Sequence, residues 1–298
     1  MGREKKVSCV ILNYNDADTT EKLVRRVYRC RSLNAVVIVD NHSADGSGKR
    51  LRKLAEELNP EKIVVLEAEK NGGYGAGNNL GIYYSYEVLQ MDYVLIANPD
   101  VEFSESTVSR LVRLFETHPD LGVAAASMED PVYGTQRNGW PLLGFWRHLA
   151  KSGPISRRLF RPFLEYGEEY FAGKSAVHVD VVHGSMLMVD ALKMMECSGY
   201  DEAVFLYNEE DILGWRMLEH GYRTALLLTE TYVHRHSESI SKTYGDVWKR
   251  QKLRNQSAMY YYKKYLKINP LQELAARVFF QIVRFEIWFC SRVLGMKW

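Results

Sequence analysis

Asn98-Pro99-Asp100 follows directly on the apolar run Tyr93–Ala97, which places a carboxylate at the end of a predicted strand. As a bare triplet it is a turn, because Asn and Asp cap and Pro bends the chain. Facing Asp40 at another strand end, Asp100 can instead give a hard oxygen ligand to Mg²⁺ or Mn²⁺, cations that keep waters and share substrate phosphates. Leu206-Tyr207-Asn208-Glu209-Glu210-Asp211 sets three consecutive carboxylates at a predicted helix start. The helix dipole favours acids there. A carboxylate within hydrogen-bond reach of a hydroxyl is also a general base, and Glu210 or Glu209 has the position for it. His234 and His236 flank Arg235 and precede Ser237, Ser239 and Ser241. Two imidazoles around a guanidinium suit a metal ion or a diphosphate. His183, beside Gly184-Ser185, is either a structural histidine or a further functional one.

The segment Asn71-Gly72-Gly73-Tyr74-Gly75-Ala76-Gly77-Asn78-Asn79 is rich in glycine but lacks the Gly-Lys-Ser/Thr of a Walker loop. It also fits a dinucleotide fingerprint poorly, since Gly73, Gly75 and Asn78 stand where three glycines are required. It reads as a flexible loop before a helix, or as backbone brought close to a phosphate or sugar at a helix N-terminus.

These residues sit in a repeating frame. Apolar runs Val7–Leu12, Ala35–Val39, Ile63–Leu66 and Tyr93–Ala97 alternate with helical stretches near Thr19–Arg31, up to Leu58, and near Asn79–Leu89. That alternation predicts crossover units, an α/β class and a mostly parallel, Rossmann-like sheet flanked by helices. Ligands of such sheets gather at the carboxyl ends of the strands, and the first, second and fourth runs lead into Asn13-Tyr14-Asn15, Asp40-Asn41 and Asn98-Pro99-Asp100. A helix near Glu105–His118 and a strand at Val123–Ala126 come next, and residues 130–175 then read as an irregular insert. Strand character returns at Val177–Val189 and at Ala203–Tyr207, a helix spans Asn208–His220, and a short strand covers Thr224–Leu228. Two further helices are predicted, basic and tyrosine-rich over Asp246–Leu266 and aromatic over Leu271–Leu294.

Composition narrows the partners. A net charge of +2 gives no overall electrostatic case for nucleic acid. Cys9, Cys30, Cys197 and Cys290 are scattered without metal-type spacing, which suits a reducing, cytoplasmic setting. No run is long and uncharged enough to span a bilayer. The C-terminal aromatic helix, interspersed with Arg277, Arg284, Arg292 and Lys297, reads as a peripheral membrane helix or a homodimer helix. Lys249, Lys252, Arg254 and Lys263 upstream would favour anionic headgroups.

From Val7 to Ile240 the ordered segments together resemble family 2 glycosyltransferases of the GT-A fold, in particular the rhamnosyltransferase-like branch. The segments are Val10–Asn15, Val39-Asp40-Asn41 with Ser43 and Asp45-Gly46, Asn71–Asn78, Asn98–Val101, His183-Gly184-Ser185, Glu209-Glu210, and His234 with Ser239. The resemblance implies a transferase domain over residues 1–240 and a C-terminal helical extension over 241–298. It implies a nucleotide-diphosphate sugar donor, dTDP-rhamnose or a UDP-sugar, and a saccharide or lipid-linked saccharide acceptor. It places Asn13, Tyr14, Asn15, Asp40, Asn41, Gly75, Asn78, Asn98 and His183 around the nucleotide sugar. Asp100 and His234 would hold Mg²⁺ or Mn²⁺, and Glu210 or Glu209 would be the base of an inverting displacement. Asn-Pro-Asp stands where the family has an Asp-x-Asp pattern, so one carboxylate is present there instead of two. Glu209-Glu210-Asp211-Ile212 replaces Glu-Asp-x-Asp, which leaves two positions open for the base. An NAD-dependent epimerase is opposed by the first strand, which lacks the glycine turn such a fold requires. A non-catalytic nucleotide- or carbohydrate-binding protein of the same fold is the other reading.

Overall fold

The computed structural model describes residues 3–131, 134–235 and 246–293. Strands β1 (Val7–Asn13), β2 (Ala35–Asp40), β3 (Ile63–Glu67) and β4 (Tyr93–Ala97) form from the four apolar runs. They pair in parallel in the order β3-β2-β1-β4. The register sets Asn13 beside Asp40 and Ile11 beside Ala97. β2 is buried along its whole length, as a parallel strand must be when helices cover both faces.

Alternation along each strand divides the core between those faces. Cys9, Ile11, Val36, Ile38 and Leu95 meet Leu23 of α1 (Ala17–Val27), Leu51 of α2 (Ser47–Leu58) and Leu111 of α4 (Glu105–Thr117). Val10, Val37 and Ile96 face Ile82 of α3 (Gly73–Tyr83) on the other side. α3 begins at Gly73, not at Asn79 as the propensities suggest, so the glycine-rich stretch is itself the opening of the helix. The glycines are there for proximity. A Cβ on Gly77 would lie 2.4 Å from Leu12 and one on Gly81 would lie 2.5 Å from Val10, so bare backbone lets α3 rest directly on β1.

Beyond β4 the sheet becomes mixed. β5 (Val101–Glu102), β6 (Leu121–Asp130), β11 (Met186–Asp190) and β12 (Arg223–His234) extend it in the order β4-β11-β6-β12-β5. β11 runs antiparallel to both neighbours, while β6 and β12 are parallel. β12 continues past the predicted end at Leu228 through an irregularity between Leu227 and Thr231. That extension carries Tyr232 and His234 to the edge where Asp100 sits.

The segment read as irregular contains β7 (Gly134–Gln136), β8 (Gly139–Trp140) and helices α5 (Phe145–Lys151), α6 (Pro154–Leu164) and α7 (Glu168–Phe171). β9 (Ala176–Val179) and β10 (Val181–Val182) follow, then β11, α8 (Ala191–Glu196) and α9 (Glu209–Glu219). The stretch Ala203–Tyr207 is not a strand. Tyr207 and Asn208 adopt φ of +71° and +66°, a left-handed turn into α9 that an extended segment cannot make.

α10 (Val247–Lys264) and α11 (Pro270–Arg292) close the fold. Tyr261, Tyr262 and Phe280 pack with Phe145, Leu149 and Ile212 in one apolar cluster. Asp201 fastens α10 and its C-terminal cap to the body, accepting from Tyr260, Lys264 and Tyr265 at 2.9, 2.8 and 2.5 Å. Burial alone would raise Asp201, but Lys264, Tyr265 and Tyr260 hold its carboxyl down at about 2. No helix among the described residues is long and apolar enough to cross a membrane. His236, Ser237, Ser239, Ser241, Lys297 and the boundary at residue 240 lie outside the described residues.

Candidate functional site

His234, the last residue of β12, pairs with Val101 of β5. Its Nε2 lies 3.3 Å from Asp100 Oδ2, and the two side chains are only 8% and 11% exposed. Carboxylate and imidazole therefore meet where water screens them little. The His183 ring lies 5.6 Å from that of His234, centroid to centroid. Asn98 joins the group through its backbone, its N–H donating to the Ser185 carbonyl at 2.8 Å. On the flank of Asp100 a hollow of about 480 Å³ is lined by Lys22, Arg26 and Arg235, the two arginines pairing with Glu102.

The residues at the ends of β1 and β2 are occupied with one another. Asn13 is fully buried. Its Nδ2 donates to Asp40 Oδ1 at 2.7 Å, and its Oδ1 accepts from Thr20 Oγ1 at 2.8 Å. Asp40 also accepts from the Ser43 hydroxyl at 2.6 Å and the Ser43 N–H at 3.1 Å. Asn15, at φ +51°, closes the loop by accepting from Ala44 N–H at 2.9 Å. Asn41 donates to Asn71 Oδ1 at 3.0 Å and the Gly73 carbonyl at 3.1 Å, tying β2 to the start of α3. These side chains shape the edge of the sheet, with half-buried Tyr14 among them. Gly75 and Asn78 stand apart from it. Gly75 packs on Tyr200, where a Cβ would come within 3.0 Å, and Asn78 is 1% exposed with its amide donated to the Tyr74 carbonyl.

The turn His183-Gly184-Ser185 joins all of these parts. Tyr74 of α3 donates its hydroxyl to the Gly184 carbonyl at 2.5 Å, and Gly184 N–H donates to Glu210 Oε1 at 3.3 Å. Ser185 Oγ is 2.7 Å from the Tyr232 hydroxyl and 2.9 Å from His183 Nδ1. One three-residue turn thus touches α3, α9, β12 and the Asp100 edge.

The three acids of α9 separate by environment. Glu210 lines a cavity of about 510 Å³ together with His183, Trp140 and Asp211. Burial, then the charge of Asp211, pushes its carboxyl above the ordinary range. Glu209 is buried instead, and its Oε2 has no hydrogen-bond partner among the described residues. Burial, then Glu210, drives it well up, favouring the protonated acid. Burial would raise Asp211 too, but Lys151, His148 and the Trp140 indole hold it well below the usual carboxylate range. The indole N–H donates to it at 3.0 Å.

The glycosyl transferase family 2 profile matches residues 8–194, from β1 through the His183-Gly184-Ser185 turn and into α8. The chain belongs to glycosyltransferase family 2. This chain is 26% identical over 209 residues to the low-salt glycan biosynthesis hexosyltransferase Agl10 of Haloferax volcanii, covering 68% of this chain and 59% of that relative. It therefore spans less than two thirds of that protein's length. It is also 26% identical over 218 residues to the N-acetylglucosaminyl-diphospho-decaprenol L-rhamnosyltransferase of Mycobacterium tuberculosis, covering 70% of this chain and 68% of the relative. The mannosyltransferase PcManGT of Pyrobaculum calidifontis, solved with GDP-Man and Mn²⁺, has the same GT-A fold. It matches 98% of this chain and 76% of its own, with a TM-score of 0.60 at 14% identity.

Several residues of the candidate site escape a reading by motif. Trp140, His148 and Lys151 fall in the segment without periodicity, and only folding brings them to Asp211. Tyr232 lies beyond the predicted strand Thr224–Leu228, and only the longer β12 brings its hydroxyl to Ser185. Asn138, fully inside, accepts Met128 N–H at 3.1 Å and receives His183 N–H on its carbonyl at 2.9 Å. Nothing in its local sequence marks it.

Proposed function

We propose that this family 2 transferase moves a sugar, with inversion, from a nucleotide-diphosphate donor to a hydroxyl of a lipid-linked saccharide. The observation that carries the reading is the placement of Asp100–His234 and of Glu210 on either side of one turn. In this reading Glu210 takes the acceptor proton as the hydroxyl oxygen attacks the anomeric carbon, and the nucleoside diphosphate leaves with the electron pair of the broken bond. The loops held by Asn13, Asp40 and Asn41 receive the nucleotide. His183 lies where the sugar and diphosphate would meet the turn. The name of the mycobacterial relative, an L-rhamnosyltransferase acting on an N-acetylglucosaminyl-diphospho-decaprenol, supports a lipid-linked acceptor and a rhamnosyl donor, for which dTDP-rhamnose or a UDP-sugar is the proposed form.

The residues fit a divalent cation of the Mg²⁺ or Mn²⁺ kind. Among the described residues no group of three or more His, Cys, Asp and Glu side chains is placed to hold a metal. Asp100 and His234 converge as a pair, which suits a cation whose remaining positions go to water and substrate phosphate. Such an ion supplies positive charge against the leaving diphosphate. Stabilisation against heat by dTDP and UDP, with and without Mn²⁺, tests the donor site. A nucleotide at a hundredfold excess over its dissociation constant should add about 2.7 kcal/mol, and more of it with the cation present. No shift with any nucleotide would leave only the non-catalytic reading.

The same proposal places the transferase at the cytoplasmic face of a membrane. Leu271, Leu274, Val278, Phe285 and Trp288 are exposed along α11, and Arg277, Arg284 and Arg292 lie among them. Apolar side chains edged with arginine suit an anionic bilayer surface. Sedimentation with anionic vesicles should carry the protein down, and Leu274→Glu with Trp288→Glu should leave it in solution. Equal binding by that double variant would remove α11 from the contact.

A further inference from the structure

The lining of the cavity beside Glu210 is of two chemical kinds. Glu210 and Asp211 are its sheltered carboxylates, and Arg157 and Arg161 of α6 and Arg254 of α10 are its exposed cations. The cation beside those carboxylates is committed. Lys151 reaches Asp211 at 3.9 Å and lies 4.6 Å from the centre of the Trp140 ring. The exposed ones are in excess over their partners. Arg157 and Arg161 share the single carboxylate of Glu165, at 3.3 and 2.9 Å. Arg254 stacks over the Tyr207 ring at 4.7 Å and has no carboxylate within ion-pair distance among the described residues. Tyr207 itself stands three positions before Glu210, at the left-handed turn into α9, so Arg254 is fixed near the start of that helix.

The opposite face of α6 is apolar. Leu159 and Phe163 of α6 are 70% and 65% exposed. α6 is held against α11 by Glu286, whose buried carboxylate accepts the Ile155 N–H at 3.1 Å, so both apolar helices lie on this side of the cavity. A neutral hydroxyl belongs beside Glu210 and a negative charge at the arginines, and a hydrocarbon leaving the cavity has the exposed apolar faces of α6 and α11 to meet. Guanidinium groups match phosphate oxygens in geometry and remain charged at any working pH.

Building on the transferase reading, we infer that this cavity is the acceptor channel and that Arg254, with Arg157 and Arg161, binds the phosphate that joins the acceptor sugar to its lipid. The arginines then set which acceptors are taken, and they contribute nothing to the donor. Glu210 meets the hydroxyl while side chains of α10 and α6 hold the phosphate.

The test uses the full chain and probes whose binding does not depend on knowing the acceptor sugar. Farnesyl diphosphate, farnesol and inorganic diphosphate are titrated by calorimetry below the concentration at which the lipids aggregate. Wild type should bind farnesyl diphosphate at least about tenfold more tightly than farnesol, the size of effect one charge-assisted pair supplies. Arg254→Gln, and separately Arg157→Gln with Arg161→Gln, should bring that ratio below about threefold while the stabilisation by dTDP or UDP stays at its wild-type size. Lys267→Gln, outside the cavity, should leave the ratio unchanged. An unchanged ratio in both arginine variants overturns the inference. So does inorganic diphosphate that binds as tightly as the farnesyl compound and competes with nucleotide, because the site would then be the donor's. Nucleotide stabilisation without any preference for farnesyl diphosphate sinks the channel alone. Loss of nucleotide stabilisation in wild type sinks the transferase reading beneath it.

Discussion

Replacing Glu210 by Gln is expected to lower the rate of sugar transfer by about 10²–10⁴-fold, the range a positioned general base supplies. The amide keeps the size of the side chain but cannot take the acceptor proton, so donor binding and the fold should survive. The pH profile gives a second, independent reading of the same residue. Burial and the neighbouring Asp211 disfavour ionised Glu210, and the base works only when ionised. Activity in wild type should therefore fall as pH drops through a value above the ordinary carboxylate range, and this acid limb should be absent from the residual activity of Glu210→Gln. Glu209→Gln is the control. Its carboxyl is buried and favours the protonated form, so an amide there should change the rate only a few-fold. If Glu209→Gln loses activity while Glu210→Gln keeps it, the assignment of the base moves back by one residue.

Asp100→Asn is expected to cost transfer by about 10²–10³-fold, comparable with the removal of one charge-stabilising group at a reacting centre. Its more telling effect is on the nucleotide. Wild type should gain extra thermal stability from dTDP or UDP when Mn²⁺ is added, and Asp100→Asn should keep the nucleotide's own shift while losing the increment from the cation. The nearly isosteric amide can still accept from His234, which sits 3.3 Å away in the native site, so the edge of the sheet should hold its shape. A full cation-dependent increment in the variant would show that the ion is held elsewhere.

How much of this could be read beforehand depends on how local each cause is. Four buried parallel strands announce themselves as continuous apolar runs, because burial on both faces removes any need for polar residues. The polar residues that end those runs are equally visible, and the fold brings Asp100 and His234 into contact from positions far apart in the chain. The start of α3 was hidden because glycine weakens a helix on its own, and only the presence of Leu12 and Val10 beneath it shows why glycine is needed. The Ala203–Tyr207 stretch is apolar enough for a strand, but its carbonyls at Phe205 and Leu206 are taken by Tyr74 of α3 and Ser257 of α10, and the backbone turns left-handed at Tyr207 and Asn208. Trp140, His148 and Lys151 belong to a segment with no period, and their meaning exists only through Asp211.

The Asp201 anchor has a consequence for how such an enzyme diversifies. The profile that defines the family ends at residue 194, yet one wall of the cavity beside Glu210 is built by α10, which begins at Val247. Three hydrogen bonds to a single buried carboxylate keep that wall in register with the sheet. With Tyr260, Lys264 and Tyr265 retained, exposed positions of α10 such as Lys252 and Arg254 can change without disturbing the strands that carry Asp100. On the acceptor-channel inference the two halves of the reaction become separately heritable: a lineage exchanges what it glycosylates by redrawing exposed positions of one helix, and inherits its activated sugar unchanged.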